Sequence, residues 1–343
     1  MHGAADLRVD EIPSPGVPPA GQVLLRVEAV GICGSDLHTY RCGVIGDTQV
    51  ADPIVMGHEF GGVVEGVGED SADGNGRPLG AGVRVAVDPA QPCGRCEWCR
   101  RGDSNLCPHI VFCGLSPYDG AMRPWMHVPA DTCYPVPDAV DAATAAMLEP
   151  FGVAIHTLDL AKLQPAESVA IIGAGSIGLC ILQLLVRSHT CPVFAADKLP
   201  WRAALARDLG AESFCTEQTD IVQSVLDATG GRGVDVAIEA ASGGEALAQA
   251  AEILAPGGRL MAVGIDEDDR FLLRHSNARR KGITVRMVRR MKHAYGRAIR
   301  LFETGAYDLA SLVTHRFPLN QAPHAFALNA NYHDGVVKAM IEI

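Results

Sequence analysis

The sequence is short of positive charge: 29 Lys and Arg against 40 Asp and Glu leave a formal net charge of −11. That deficit argues against a general nucleic-acid or anionic-membrane binder. The one basic run, "RRKGITVRMVRRMKH" (residues 279–293), reads as a strand flanked by solvated charges. The N-terminus, "MHGAADLRVDEIP", lacks the long apolar segment of a secretory signal. A membrane-length apolar run is also missing, because three glycines interrupt the most apolar window, "VAIIGAGSIGLCILQLLV". There is no internal repeat and no low-complexity run. Nor is there an even set of cysteines to pair: the count is eleven. With no signal, that points to a reducing cytoplasm, where clustered cysteines bind metal more often than they form disulfides.

What is present describes a soluble globular protein: 48% hydrophobic and 20% charged residues. The length of 343 residues suggests two domains. "QVLLRVEAV" (22–30) alternates as a half-buried strand does, and "GVVEGVG" and "GVRVAV" add short strands. The region up to about residue 150 therefore reads as mostly β. Beyond it the pattern changes: "SVAIIG", "PVFAAD", "VDVAIEAA" and "GRLMAVGI" read as strands. The helices "SIGLCILQLLVRS", "WRAALARDLGA" and "GEALAQAAEIL" lie between them. Strand–helix alternation of this kind predicts a parallel sheet covered on both faces. From about 294 the pattern is mixed again, with "AYGRAIRLFETG" helical and "GVVKAMIEI" a closing strand.

Cys93, Cys96, Cys99 and Cys107 form C-x2-C-x2-C-x7-C. Four thiolates complete a tetrahedral zinc and leave no position for substrate, so this lobe reads as a structural site. Gly94 and Gly102 let the loop close tightly. An iron–sulfur cluster is the alternative, since thiolates suit both.

In "IIGAGSIG", Gly173, Gly175 and Gly178 give G-x-G-x-x-G between an apolar strand and an apolar helix. That is the setting in which glycines form the turn, admit a pyrophosphate and let helix pack on strand. Asp197 ends the next strand, nineteen residues past Gly178. A carboxylate there accepts from a ribose 2′-OH and repels a 2′-phosphate, which favours NAD over NADP. Lys198 and Arg202 stand nearby and oppose that preference.

Cys33, His58 and Glu59 are metal-capable residues of the β-rich part, and Glu149 precedes the nucleotide motif. Three firm ligands and one exchangeable position suit a catalytic zinc that polarises an alcohol oxygen, with hydride leaving for a nicotinamide. Asp36 is placed to hold the second nitrogen of His58, and Ser35 and His38 to pass a proton outward. Taken singly, each of these residues is more often a packing or surface residue. His156 and His324 read as such, and Cys42, Cys113, Cys133, Cys180, Cys191 and Cys215 have no metal spacing.

The combination of "CGSDLH", "GHEFGGVVEGVG", the four-cysteine lobe and "GAGSIG" resembles the zinc-containing medium-chain alcohol dehydrogenases over nearly the whole chain. "NLCPHIVFCGLSPYDG", "CYPVPD", "LEPFGVAIHT" and "LVTHRFPL" are most similar to the sorbitol and polyol dehydrogenase branch. The resemblance implies an α/β architecture: a GroES-like β-rich catalytic domain (1–153, with the zinc lobe at 91–108), a Rossmann domain with a doubly wound parallel sheet (154–293), and a return to the catalytic domain (294–343). It implies a small-molecule alcohol or polyol substrate and a homodimer or homotetramer. The start of the first strand is missing relative to the family, so a short or trimmed N-terminus is expected.

By resemblance, Cys33, His58 and Glu59 match catalytic zinc ligands, and Glu149 a residue that reaches the metal or its water. Ser35 and His38 match the proton relay. Gly173, Gly175, Ile177, Gly178, Asp197, Arg202, Val263, Gly264 and Ile265 match cofactor contacts, and Thr39, Glu149 and Arg290 substrate contacts. Two departures put sorbitol itself in doubt: Thr39, and Met291 after Arg290, stand where the branch often carries tyrosine. The expected reaction is NAD-dependent oxidation of a secondary alcohol, with two zinc ions per chain. L-threonine and 2,3-butanediol dehydrogenation are the alternatives within the family. A non-catalytic nucleotide-binding protein and a zinc hydrolase are the alternatives outside it.

Overall fold

The computed structural model describes residues 1–188, 191–241, 243–270 and 272–343. Packing divides the chain into two units, Met1–Gly152 with Lys292–Ile343, and Val153–Met291.

The first unit opens with β1 (Gln22–Gly31), in which Val23, Leu25 and Val27 are fully buried and the residues between them are not. Burying each such side chain contributes about 1.5–3 kcal/mol. After β1 comes α1 (Gly34–Cys42), where Asp36 accepts the backbone N–H of Cys33 at 2.9 Å and so satisfies a donor at the helix start. Then follow β2 (Glu59–Val67), β3 (Arg84–Val87), the short α2 (Glu97–Arg100), β4 (Trp125–Pro129), β5 (Cys133–Pro135) and α3 (Ala142–Ala161).

In the second unit the elements are β6 (Val169–Ile172), α4 (Ser176–Ser188), β7 (Val193–Asp197), α5 (Pro200–Asp208), β8 (Glu212–Cys215), α6 (Ile221–Ala228), β9 (Val234–Glu239), α7 (Ala246–Glu252), β10 (Leu254–Ala262), α8 (His275–Lys281) and β11 (Thr284–Met287). Its six strands are parallel in the order β8-β7-β6-β9-β10-β11. This is the doubly wound order of dinucleotide-binding sheets, with the switch point beside β6. The two strands at its centre-left, β6 and β7, are buried along their whole length, which is why they read as unbroken apolar runs.

The chain then returns to the first unit through α9 (Tyr295–Glu303), β12 (Val313–Pro318), α10 (Ala322–Ala330) and β13 (Lys338–Glu342). The seven-stranded sheet there has the order β12-β13-β1-β2-β3-β5, with β4 also on β1. Tyr295 anchors the return: its hydroxyl donates to the Val87 carbonyl at 2.6 Å and its ring stacks on Tyr134. Among the described residues no helix is long and apolar enough to cross a membrane.

Two helices lie where the sequence pattern suggested mostly strand. α1 carries polar residues on a buried face, Asp36, His38 and Thr39, and so lacks an apolar stripe. α3 contains Pro150, a residue that ordinarily breaks a helix, and is buried nearly all round. The basic run contains the expected strand, β11, and the charges before it, Arg279, Arg280 and Lys281, end a helix, α8.

Candidate active site and metal centres

Cys33 is the residue before α1, and His58 and Glu59 stand at the start of β2. Their ligand atoms lie within 4.8 Å of one another. The pairing of Gly31 with Glu59 across β1 and β2 sets this meeting. A Cβ on Gly31 would fall 2.2 Å from Glu59 Oε2, so the carboxylate needs a glycine beneath it. His58 and Glu59 are 6% and 1% exposed.

His58 is held from both sides. Its Nδ1 lies 3.3 Å from Asp36 Oδ1, and its Nε2 lies 3.5 Å from the Ser35 hydroxyl. Burial works to lower its pKa, but the Asp36 carboxylate and the Cys33 thiol outweigh burial and raise it well above the usual range. A carboxylate behind a metal-binding imidazole fixes its tautomer and strengthens it as a ligand. His38 is buried, and among the described residues its Nδ1 has no hydrogen-bond partner. The Thr39 hydroxyl donates to the Ser35 carbonyl at 3.0 Å, inside its own helix.

Glu149, on α3, stands outside the three-residue ligand cluster. Burial pushes it up to about 8; Glu59 and Asp88 add to the rise, and His58 and Lys338 oppose it. The sequence reading missed Lys338. Its ammonium reaches both Glu59 oxygens, at 2.8 and 2.6 Å, and the Ile32 carbonyl at 3.1 Å, and the residue is 1% exposed. Burial opposes its charge, yet Glu59 and Cys33 prevail and raise its pKa. The signal was legible, because Lys338 is the lone charge in an otherwise apolar stretch, "VVKAMI".

The other cluster is Cys93, Cys96, Cys99 and Cys107, whose sulfurs also lie within 4.8 Å of one another. Backbone N–H groups of Arg95 and Cys96 bring Cys93 down to about 6. Lys292 ties the lobe down through Asp103 Oδ1 at 3.0 Å. The donor sets fit their expected metals: four thiols for a closed site, and one thiol, one imidazole and one carboxylate for a site with a position to spare. None of the eleven cysteines is in a disulfide.

In the second unit the glycine loop joins β6 to α4. Gly173 has φ +102°, and a Cβ on Gly178 would fall 1.9 Å from the Gly173 carbonyl oxygen. Asp197 ends β7 and accepts N–H groups from Ala174 and Leu199, both at 2.8 Å. Arg202 Nη1 lies 3.5 Å from the Cβ position of Gly175. Ile177 is in the first turn of α4, while Val263, Gly264 and Ile265 follow β10. Arg290 stands near the end of this unit with φ +55°.

Residues 19–138 match the model of the alcohol dehydrogenase GroES-like domain, and residues 176–304 that of the zinc-binding dehydrogenases. A sorbitol dehydrogenase of Bacillus subtilis is 33% identical over 99% of this chain and 95% of its own length. The chain belongs to the zinc-type medium-chain alcohol dehydrogenases, in their polyol dehydrogenase-like branch. It is an enzyme of that family, with a GroES-like domain and a Rossmann-type sheet, and it uses zinc and a nicotinamide cofactor. A sorbitol dehydrogenase of Bombyx mori is 34% identical over 96% of this chain and 93% of its own. An Escherichia coli CFT073 alcohol dehydrogenase solved with NADH has a TM-score of 0.87 at 28% identity, covering 100% of this chain and 97% of that one. A zinc-binding dehydrogenase of Sinorhizobium meliloti bound to NADP has a TM-score of 0.88 at 26% identity, again over 100% and 97%.

Proposed function

We propose that this protein oxidises a secondary alcohol of a polyol or sugar alcohol to a ketone, with NAD as hydride acceptor and two zinc ions per chain. The observation that carries the reading is the buried meeting of Cys33, His58 and Glu59, with Asp36 behind the imidazole. Zinc held there supplies a Lewis acid that makes an alcohol proton easier to lose. Ser35, beside His58, receives that proton, and His38 carries it outward. The unpartnered, buried Nδ1 of His38 suits such a relay, since a lone buried polar atom is costly unless something else satisfies it. Cys93, Cys96, Cys99 and Cys107 hold the structural zinc.

Glu149 and Arg290 are the residues proposed to hydrogen-bond hydroxyls next to the reacting one. A site built for such bonds rejects analogues that lack them. The names of the sorbitol dehydrogenase relatives support a polyol, while Thr39 and Met291 leave the length and stereochemistry of the chain open. Asp197 supports NAD over NADP; Arg202, close to Gly175, is the residue that would reverse the preference.

Eleven cysteines with no disulfide among them support a cytoplasmic location. The free edge of β11, where Met287 is 57% exposed, supports a dimer or tetramer of like chains. Rates of nicotinamide reduction across sugar alcohols, inositols, butanediols, threonine and primary alcohols test the reading. The highest kcat/KM is expected for a polyol with NAD. Ethanol or threonine in first place would refute the polyol assignment, and a preference for NADP would refute the role of Asp197.

A further inference from the structure

Glu239 is the last residue of β9 and is 3% exposed. Neither the glycine motif nor the metal clusters involve it. Its Oε1 accepts the Ala241 N–H at 2.7 Å and its Oε2 the Gly264 N–H at 3.2 Å. Its own carbonyl accepts the N–H groups of Val263 and Gly264, at 2.8 and 3.2 Å. The next residue, Ala240, donates to the Ile172 carbonyl at 2.7 Å, at the threshold of the glycine loop.

The packing at this end of β9 is close. A Cβ on Gly264 would fall 2.5 Å from Glu239 Oε1, and one on Gly173 would fall 2.6–2.7 Å from the Ala240 carbonyl and the Ala241 nitrogen. One carboxyl thus joins the loops that follow β9 and β10, and the backbone of the first of these packs on the glycine loop after β6, all at the C-terminal edge of the parallel sheet. That edge is where doubly wound sheets bind their ligands.

Among the described residues no cation answers this buried acid. Among the described residues its only charged neighbour of consequence is Asp266, a further acid, and burial pushes it up to about 7. A serine or an amide could not do the same work. Two N–H donors point at it, and an amide has a single acceptor oxygen and would turn its own N–H toward one of them.

We infer that Glu239 is a positioning residue for the nicotinamide cofactor, which ties the 263–265 loop to the 240–241 turn packed on the glycine loop and thereby sets cofactor affinity. The inference rests on the nucleotide-binding reading of this unit. The ionised carboxyl accepts both N–H groups. The protonated one loses the charge that strengthens those bonds and accepts them more weakly, so the loops hold less firmly. NADH binding should therefore weaken as pH falls through the neutral range and strengthen as it rises.

The experiment is fluorescence titration of the zinc-loaded enzyme with NADH between about pH 6 and 9, the range around the ordinary His and the raised carboxyl values, for the unaltered chain and for Glu239→Gln. Loss of one charge-assisted hydrogen bond should weaken NADH binding by about tenfold or more at the alkaline end. The pH dependence should be lost, while zinc content is unchanged. Equal affinity in the two proteins, or a pH dependence that persists in Glu239→Gln, would overturn the inference. A flat profile in the unaltered enzyme would overturn it as well. Should Glu239→Gln not fold, Gly264→Ala takes its place: its methyl unseats the loop, so undiminished NADH affinity would overturn the proposal. If the unaltered chain binds no NADH at all, the nucleotide-binding reading itself has failed, and the two failures are told apart.

Discussion

Cys93, Cys96, Cys99 and Cys107 lie within fifteen residues of one another, on a partly exposed loop with one four-residue α-helix. Cys33, His58 and Glu59 are gathered from two segments by a strand pairing, and two of the three are buried. The first set needs only local chain and two turns to close around an ion. The second needs β1, β2 and β13 in place before its side chains can meet. A local, closed set staples a loop; a set assembled by the core can leave one position open and have its surroundings tuned. The tuning is visible in Asp36 behind His58, Lys338 across from Glu59 and the raised carboxyl of Glu149.

Substitutions sharpen that contrast. The largest effect is expected from His58→Ala, which should abolish alcohol oxidation and remove one metal equivalent while the lobe keeps its own. Metal analysis beside an activity assay checks this, and loss of both metals would mean the two sets are not independent. Lys338→Met should come next. It leaves Glu59 buried without a counter-charge, at a cost of about 3–5 kcal/mol in the metal-free protein. Denaturant melts should show a smaller loss in the zinc-loaded form, because the ion then supplies the positive charge. An equal loss in both forms would show that Lys338 and the metal do not share Glu59.

Asp36→Asn should be milder, reducing zinc affinity or turnover by about 10–100-fold, as removal of a partner behind a metal-binding histidine generally does. Zinc competition with a chromogenic chelator measures it. The smallest effect on the chemistry is expected from Cys99→Ser. It should release the lobe metal and lower the thermal midpoint, yet leave the KM for the alcohol unchanged. A KM that rises with loss of the lobe metal would place the lobe in the substrate site.

The same contrast explains what could be read from the chain. The four cysteines, the glycine loop and the strands β6, β7, β9 and β10 were legible because spacing or continuous apolar character encodes each of them locally. The helix α3 was not, because its environment tolerates Pro150 and buries it nearly all round, which erases the amphipathic period. Lys338 and Glu239 were passed over for a related reason. Each is a single charge in or at the end of an apolar strand, and only the tertiary structure shows what it faces: Glu59 for the first, two loop N–H groups for the second. The pairing of Asp36 with His58 was legible although the two stand twenty-two positions apart, because a metal-binding imidazole calls for a carboxylate behind it.

The central claim is that one metal site is open and catalytic and the other closed and structural. The most direct test follows zinc content, activity and circular dichroism together while a chelator is added to enzyme purified without added metal. Two zinc ions per chain are expected at the outset. The first to leave should take the activity with it while the fold persists, since the open site exchanges more readily than four thiolates do. A single zinc per chain, iron in the lobe, or loss of the fold before loss of activity would contradict the account.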